Sequence, residues 1–146
     1  MSEEVWDRQT DINLKSVYLF CDLVLPIMES QAAGGCVVNI SSAAGLRYIG
    51  KPVVAYAATK AAIIQFTKTI AVIYAKRKIQ MNTVVLRLID TPLVKVLADK
   101  YANADYEGFS AKRDAQVPTG KNVSVLLLSR NRKSIADLSI GVMHGK

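Results

Sequence analysis

Residues 36–60, CVVNISSAAGLRYIGKPVVAYAATK, decide the fold, because they read in turn as a buried strand, a loop and the start of a helix. Cys36, Val37, Val38 and Ile40 form a short β-prone apolar run that ends at Ser41 and Ser42, as expected of a parallel strand covered on both faces. Ligands of open α/β sheets collect beyond the carboxyl ends of the strands, so Ser42 stands where chemistry is expected. Gly45, Gly50 and Pro52 mark the loop. The run that follows, AYAATKAAIIQFTKTIAVIYAKRK, is rich in Ala and periodic in Ile, Phe and Tyr, which predicts a long helix. Tyr56 and Lys60 lie four apart on it and so share a face, where an ammonium favours the ionised form of a neighbouring phenol.

The flanking sequence has the same α/β character. Residues 3–30 read as helix, a short turn and then a longer run, DINLKSVYLFCDLVLPIMES, whose apolar face is supplied by Ile12, Val17, Phe20, Cys21, Val24, Leu25 and Met28. Pro26 lies inside this run and predicts a kink or an end there. After Lys78, IQMNTVVLRL reads as a second strand. Residues 94–116 alternate charged and apolar positions in the manner of one or two exposed helices. Their Tyr101, Tyr106 and Phe109 either touch a substrate or pin the helices to the core.

Composition limits the function classes. A chain of 146 residues that is 51% hydrophobic is long and apolar enough for one folded domain. The formal net charge of +7 is spread over 76–78, 112–113 and 130–133, which reads as solvated faces and not as a nucleic-acid or membrane site. Cys21 and Cys36 fall in apolar segments without metal-ligand spacing and are expected to be buried, reduced thiols of a cytoplasmic protein. His144 is the lone histidine and has no partner at ligand spacing, so no metal is expected. The opening MSEEVWDRQT is acidic where a signal peptide is basic and then apolar, and no apolar stretch reaches spanning length.

Taken together, N-I-S-S-x-x-G over 39–45 and Y-x-x-x-K over 56–60 resemble the active-site segment of the short-chain dehydrogenase/reductase family, which reduces carbonyls or oxidises alcohols with NAD or NADP. The resemblance implies an α/β, partial Rossmann-like (doubly wound) fold with parallel strands flanked by helices. It implies a single partial domain over 1–146, best matched over 11–93 and eroded over 118–146. It also assigns roles to Asn13, Ser42, Tyr56 and Lys60. Tyr56 is the general acid or base, Lys60 the cation beside it, Ser42 the donor to the substrate oxygen, and Asn13 the holder of a water in the proton relay. Tyr56, Lys60 and Thr91, the last in LIDTPLV, are implied to contact the nicotinamide end of the cofactor. The implied substrate is a small alcohol or ketone. The implied assembly is a homo-oligomer built on the helices that carry Asn13 and Tyr56, with neither nucleic acid nor membrane as partner.

The chain departs from the family pattern in three places. Leu86 and Arg87 stand where the family carries Pro-Gly, so the Arg87 side chain has either to swing away from a nicotinamide or to occupy its space. VPTGKN resembles the family's P-x-G-R turn, and Gly145 alone remains of its Asp-Gly-Gly finish. The glycines nowhere make a G-x-x-x-G-x-G or G-x-G-x-x-G after a strand, so the resemblance is to the carboxyl-terminal part of the family domain, without a pyrophosphate site. Two functions follow as expectations: an NAD(P)-dependent oxidoreductase or, alternatively, an inactive fragment that self-associates or binds a full-length relative.

Overall fold

Local chemistry sets the first helix. Ser2 caps it by accepting from the Val5 N–H at 3.4 Å, Glu3 and Glu4 occupy its first turn and Arg8 its last, each favourable to the helix dipole. The computed structural model describes residues 1–116 and 123–124. These divide into two compact units, Met1–Arg87 and Leu88–Lys146.

In the first unit α1 (Glu3–Gln9) passes through a π-helical segment (Thr10–Lys15) into α2 (Ser16–Ser30). Pro26 does not end α2, which continues to Ser30. The missing Pro N–H leaves the Asp22 carbonyl without its helical donor, but Asp22 and Pro26 are both exposed, so that carbonyl is open to solvent. β1 (Gly35–Ser42) follows, then a 3₁₀ turn (Ala43–Gly45), α3 (Val54–Tyr74), a second 3₁₀ turn (Ala75–Arg77) and β2 (Ile79–Leu86). β1 and β2 pair in parallel, from Gly35 opposite Ile79 to Ser42 opposite Leu86, with α3 as their crossover. The expected strand–loop–helix–strand order is therefore the observed one.

The core joins Cys21 and Leu25 of α2 to Val37 of β1 and Ile79 and Met81 of β2, with Phe66, Ile70 and Tyr74 of α3 packed against them. Burial of such side chains contributes about 1.5–3 kcal/mol each. Both helices thus meet one face of the sheet. Val37, Asn39 and Ser41 are buried on β1, while Cys36, Val38 and Ile40 are exposed, the last two at 36% and 46%. The expectation of a strand covered on both faces is corrected here, and with it the expected burial of Cys36. A period of two sends the Cys36, Val38 and Ile40 side chains away from α2 and α3, and no described element of this unit covers them, whereas Ser42 at the strand end is buried. Cys21 stays 2% exposed, and burial raises its thiol pKa. In the 146-residue chain a maleimide or disulfide reagent should therefore consume Cys36 quickly and Cys21 only on unfolding. Equal rates for the two thiols would contradict this packing.

The second unit holds the short parallel pair β3 (Ile89–Asp90) and β4 (Val123–Ser124), with α4 (Leu93–Tyr101) and α5 (Tyr106–Asp114) between them. The two exposed helices expected over 94–116 are these, although α4 buries Val94 and Ala98. The VPTGKN turn, His144 and Gly145 lie outside the described residues. Among the described residues no helix is long and apolar enough to cross a membrane.

Candidate active site

The end of β1 and the first turns of α3 are bound together at one residue, Lys60. The Ser41 hydroxyl donates to the Lys60 carbonyl at 2.7 Å, and the Lys60 ammonium donates to the Ile40 carbonyl at 3.1 Å. A side-chain carbon at Gly45 would lie 2.6 Å from the Lys60 carbonyl carbon and from the Ala61 nitrogen, so only glycine lets the turn after β1 lie this close to the helix. Further along, buried Asn39 donates to Thr67 at 2.9 Å, and Thr67 donates in turn to the Ile63 carbonyl at 2.7 Å. Each buried polar group on this seam thus has a partner, as low-dielectric surroundings require.

Ser41 and Ser42, adjacent in sequence, have separate tasks. Ser41 is committed to Lys60. The Ser42 oxygen accepts from the Ala44 N–H at 3.2 Å and so caps the 3₁₀ turn. A hydroxyl that accepts still has its proton to give, and Ser42 sits at the carboxyl end of β1.

Tyr56 and Lys60 share one face of α3, with the ammonium 5.7 Å from the ring centroid, within cation–π range. Desolvation by burial lowers the Lys60 pKa from its ordinary 10.5. A lysine whose folded-state pKa is lowered costs stability while it is charged in both states, and that cost is relieved as pH rises through the folded value toward 10.5. Wild type should therefore gain stability relative to Lys60→Met as pH is raised through this window. Thermal melts giving a constant difference from pH 7 to about pH 10 would refute it.

Asn13 lies in the π-helical segment, where its side-chain amide donates to Gln9 at 2.8 Å and to Thr59 at 3.2 Å. It reaches α3 beside Lys60 through Thr59, which itself donates to the Tyr56 carbonyl at 2.9 Å. Sequence reasoning singled out Asn13 but missed both Thr59 and the π-helical segment. Such segments occur often at functional sites and reset the register of helix carbonyls.

The loop after the 3₁₀ turn and the first turns of α3 line an open cavity of about 470 Å³, whose wall includes Leu46, Tyr48, Ile49, Val53, Ala57 and Ala61. Its lining is largely apolar, as small-molecule sites tend to be. Arg87, directly after β2, is exposed. Thr91 belongs to the second unit. Its carbonyl accepts from the Val94 N–H at 2.8 Å, and with Pro92, Lys95 and Tyr106 it lines a cavity of about 270 Å³. Of the aromatic residues considered for substrate contact, Tyr106 is half-buried at this cavity and Tyr101 is 46% exposed. Among the described residues no group of three or more His, Cys, Asp or Glu could hold a metal.

The family described as enoyl-(acyl carrier protein) reductase matches residues 1–142. The 3-oxoacyl-(acyl-carrier-protein) reductase of Chlamydia muridarum is 37% identical over 135 residues, 92% of this chain and 53% of that protein. The cyclopentanol dehydrogenase of a Comamonas species is 41% identical over 99 residues, 67% of this chain and 38% of that protein. Among solved structures, the ligand-free aldohexose dehydrogenase of Thermoplasma acidophilum is similar at a TM-score of 0.81 and 30% identity, over 95% of this chain and 53% of that one. The chain spans about half the length, or less, of these relatives.

Proposed function

Because the chain belongs to the short-chain dehydrogenase/reductase family, we propose that it carries the acid–base group of an NAD(P)-dependent site acting on a small alcohol or ketone. The observation that carries this reading is the meeting of Tyr56 and Lys60 on one helix face, anchored to the end of β1 where Ser42 keeps a proton to donate.

In the reductive direction Tyr56 gives its phenolic proton to the carbonyl oxygen, and in the oxidative direction it takes that proton back. The Lys60 ammonium stabilises the phenolate that remains. Ser42 donates to the same oxygen and offsets the charge that grows on it. Asn13, tied to α3 through Thr59, holds the water that returns a proton from solvent toward Lys60. A nicotinamide, when bound, supplies the hydride. Lys60 suits the ribose of that group: an ammonium has three donors and Lys60 uses one on Ile40, which leaves donors for ribose hydroxyls.

The apolar cavity beside Ala57 favours a small hydrophobic or cyclic substrate. Leu23, Ile27, Val72 and Ile73 are exposed on α2 and α3, which favours a homo-oligomer over a monomer. A panel of small ketones with NADH and NADPH, followed by cofactor absorbance, tests the reading in the protein assembled with its cofactor. Turnover that stops in Tyr56→Phe supports it, and turnover indifferent to that change overturns it.

A further inference from the structure

One hydroxyl proton sets the direction of a chain of polar groups between the π-helical segment and α3. Thr59, 4% exposed, donates that proton to the Tyr56 carbonyl at 2.9 Å. A threonine hydroxyl has a single proton, so with it committed the Thr59 oxygen only accepts from its other neighbour. That neighbour is the Asn13 side chain at 3.2 Å, and of its two polar ends only Nδ2 donates. The other Nδ2 proton goes to Oε1 of Gln9 at 2.8 Å. The Asn13 amide is therefore held in one of its two orientations, nitrogen toward α3, because the reversed amide would set oxygen against oxygen at Thr59. The segment Thr10–Lys15 that carries Asn13 packs against α3, so this bond ties together two helical elements and not only two side chains.

We infer that Thr59 is a positioning residue for proton transfer, its hydroxyl fixing the orientation of the Asn13 side chain against the turn of α3 that carries Tyr56 and Lys60. The inference rests on the oxidoreductase reading, in which Asn13 holds the water of the relay. Thr59 acts through Asn13 and needs no contact with substrate or cofactor. Removing the hydroxyl strands neither of its partners. The Tyr56 carbonyl lies inside α3 and keeps its helical N–H donor, and the Asn13 amide keeps Gln9. Thr59→Val, which preserves the shape of the side chain, should accordingly fold and leave the Asn13 amide free to reverse.

In the protein assembled with its cofactor, Thr59→Val should lower kcat about tenfold, the factor that about 1.4 kcal/mol represents, with the KM for the ketone unchanged. Thr59→Ser, which keeps the hydroxyl, should stay at the wild-type rate. Small acids in solution bypass a slowed relay, so imidazole buffer should raise the turnover of Thr59→Val toward wild type and leave wild type unmoved. Adding Thr59→Val to Asn13→Ala should cost little beyond Asn13→Ala alone, since both changes remove one function. Tyr56-dependent turnover that Thr59→Val leaves unchanged, that Thr59→Ser lowers as much, that imidazole fails to restore, or that falls additively in the double variant overturns the inference alone. Turnover absent from wild type or indifferent to Tyr56→Phe overturns the oxidoreductase reading and the inference with it. Should Thr59→Val fail to fold, the unaltered chain still decides. Its Asn13 side-chain amide, labelled with ¹⁵N, should show protons slow to exchange and a nuclear Overhauser contact to the Thr59 methyl group, and a freely turning amide in fast exchange overturns the positioning role.

Discussion

On the proposed oxidoreductase reading, replacing Tyr56 by Phe should lower kcat for carbonyl reduction by about 10²–10⁴-fold, the usual contribution of a positioned general acid. That factor corresponds to about 2.7–5.4 kcal/mol of barrier. The change removes one oxygen and little else. The ring stays on α3, where Lys60 lies 5.7 Å from its centroid, so cation–π contact and packing survive. Thr59 bonds the backbone carbonyl of Tyr56 and not its side chain, so the link from Asn13 to α3 also survives. Thermal stability and the KM for the ketone should consequently move little while kcat collapses. A loss of only about threefold would show that the proton comes from another group, and an equal rise in KM would make Tyr56 a binding residue.

What was legible in the sequence is what short-range pattern encodes. β1, α3 and β2 each announce themselves through β-branched runs, Ala-rich periodicity and the punctuation of Gly45, Gly50 and Pro52. Tyr56 and Lys60 meet because a helix brings positions four apart together, which needs nothing beyond α3 itself. The rest depends on partners remote in the chain. The π-helical segment around Asn13 goes with a contact to Thr59, 46 residues away, and no local signal marks it. Burial of Cys36 was misjudged because apolarity says that a strand can be covered on two sides, not that both covers are present. The division of labour between Ser41 and Ser42 rests on which of them faces α3, a matter of strand phase.

Gly45→Val should cost about 3 kcal/mol or more of stability, a large part of the 5–15 kcal/mol of an ordinary domain, and should disable the site together with the fold. The glycines at 45 and 50 look alike in the sequence, two punctuation marks in one loop, yet their physical reasons differ. Gly50 has φ +80° with nothing within 4 Å of an added side-chain carbon, so Gly50→Ala meets only the left-handed backbone penalty of about 1–2 kcal/mol. A side-chain carbon at Gly45 would be pressed against backbone, 2.6 Å from the Ala61 nitrogen and 2.9 Å from the Lys60 oxygen, which cannot rotate aside as a side chain can. Relief requires the turn to lift from α3. That stretches the Ser41 bond to the Lys60 carbonyl and shifts the Ala44 N–H that donates to the capping Ser42 oxygen, so Ser42 and Lys60 lose their common frame. Chemical denaturation and turnover, measured on both variants, should therefore separate them: Gly50→Ala active and mildly destabilised, Gly45→Val inactive even below its own melting temperature. Full activity in a folded Gly45→Val protein would show that the contact between this turn and α3 does not position the site.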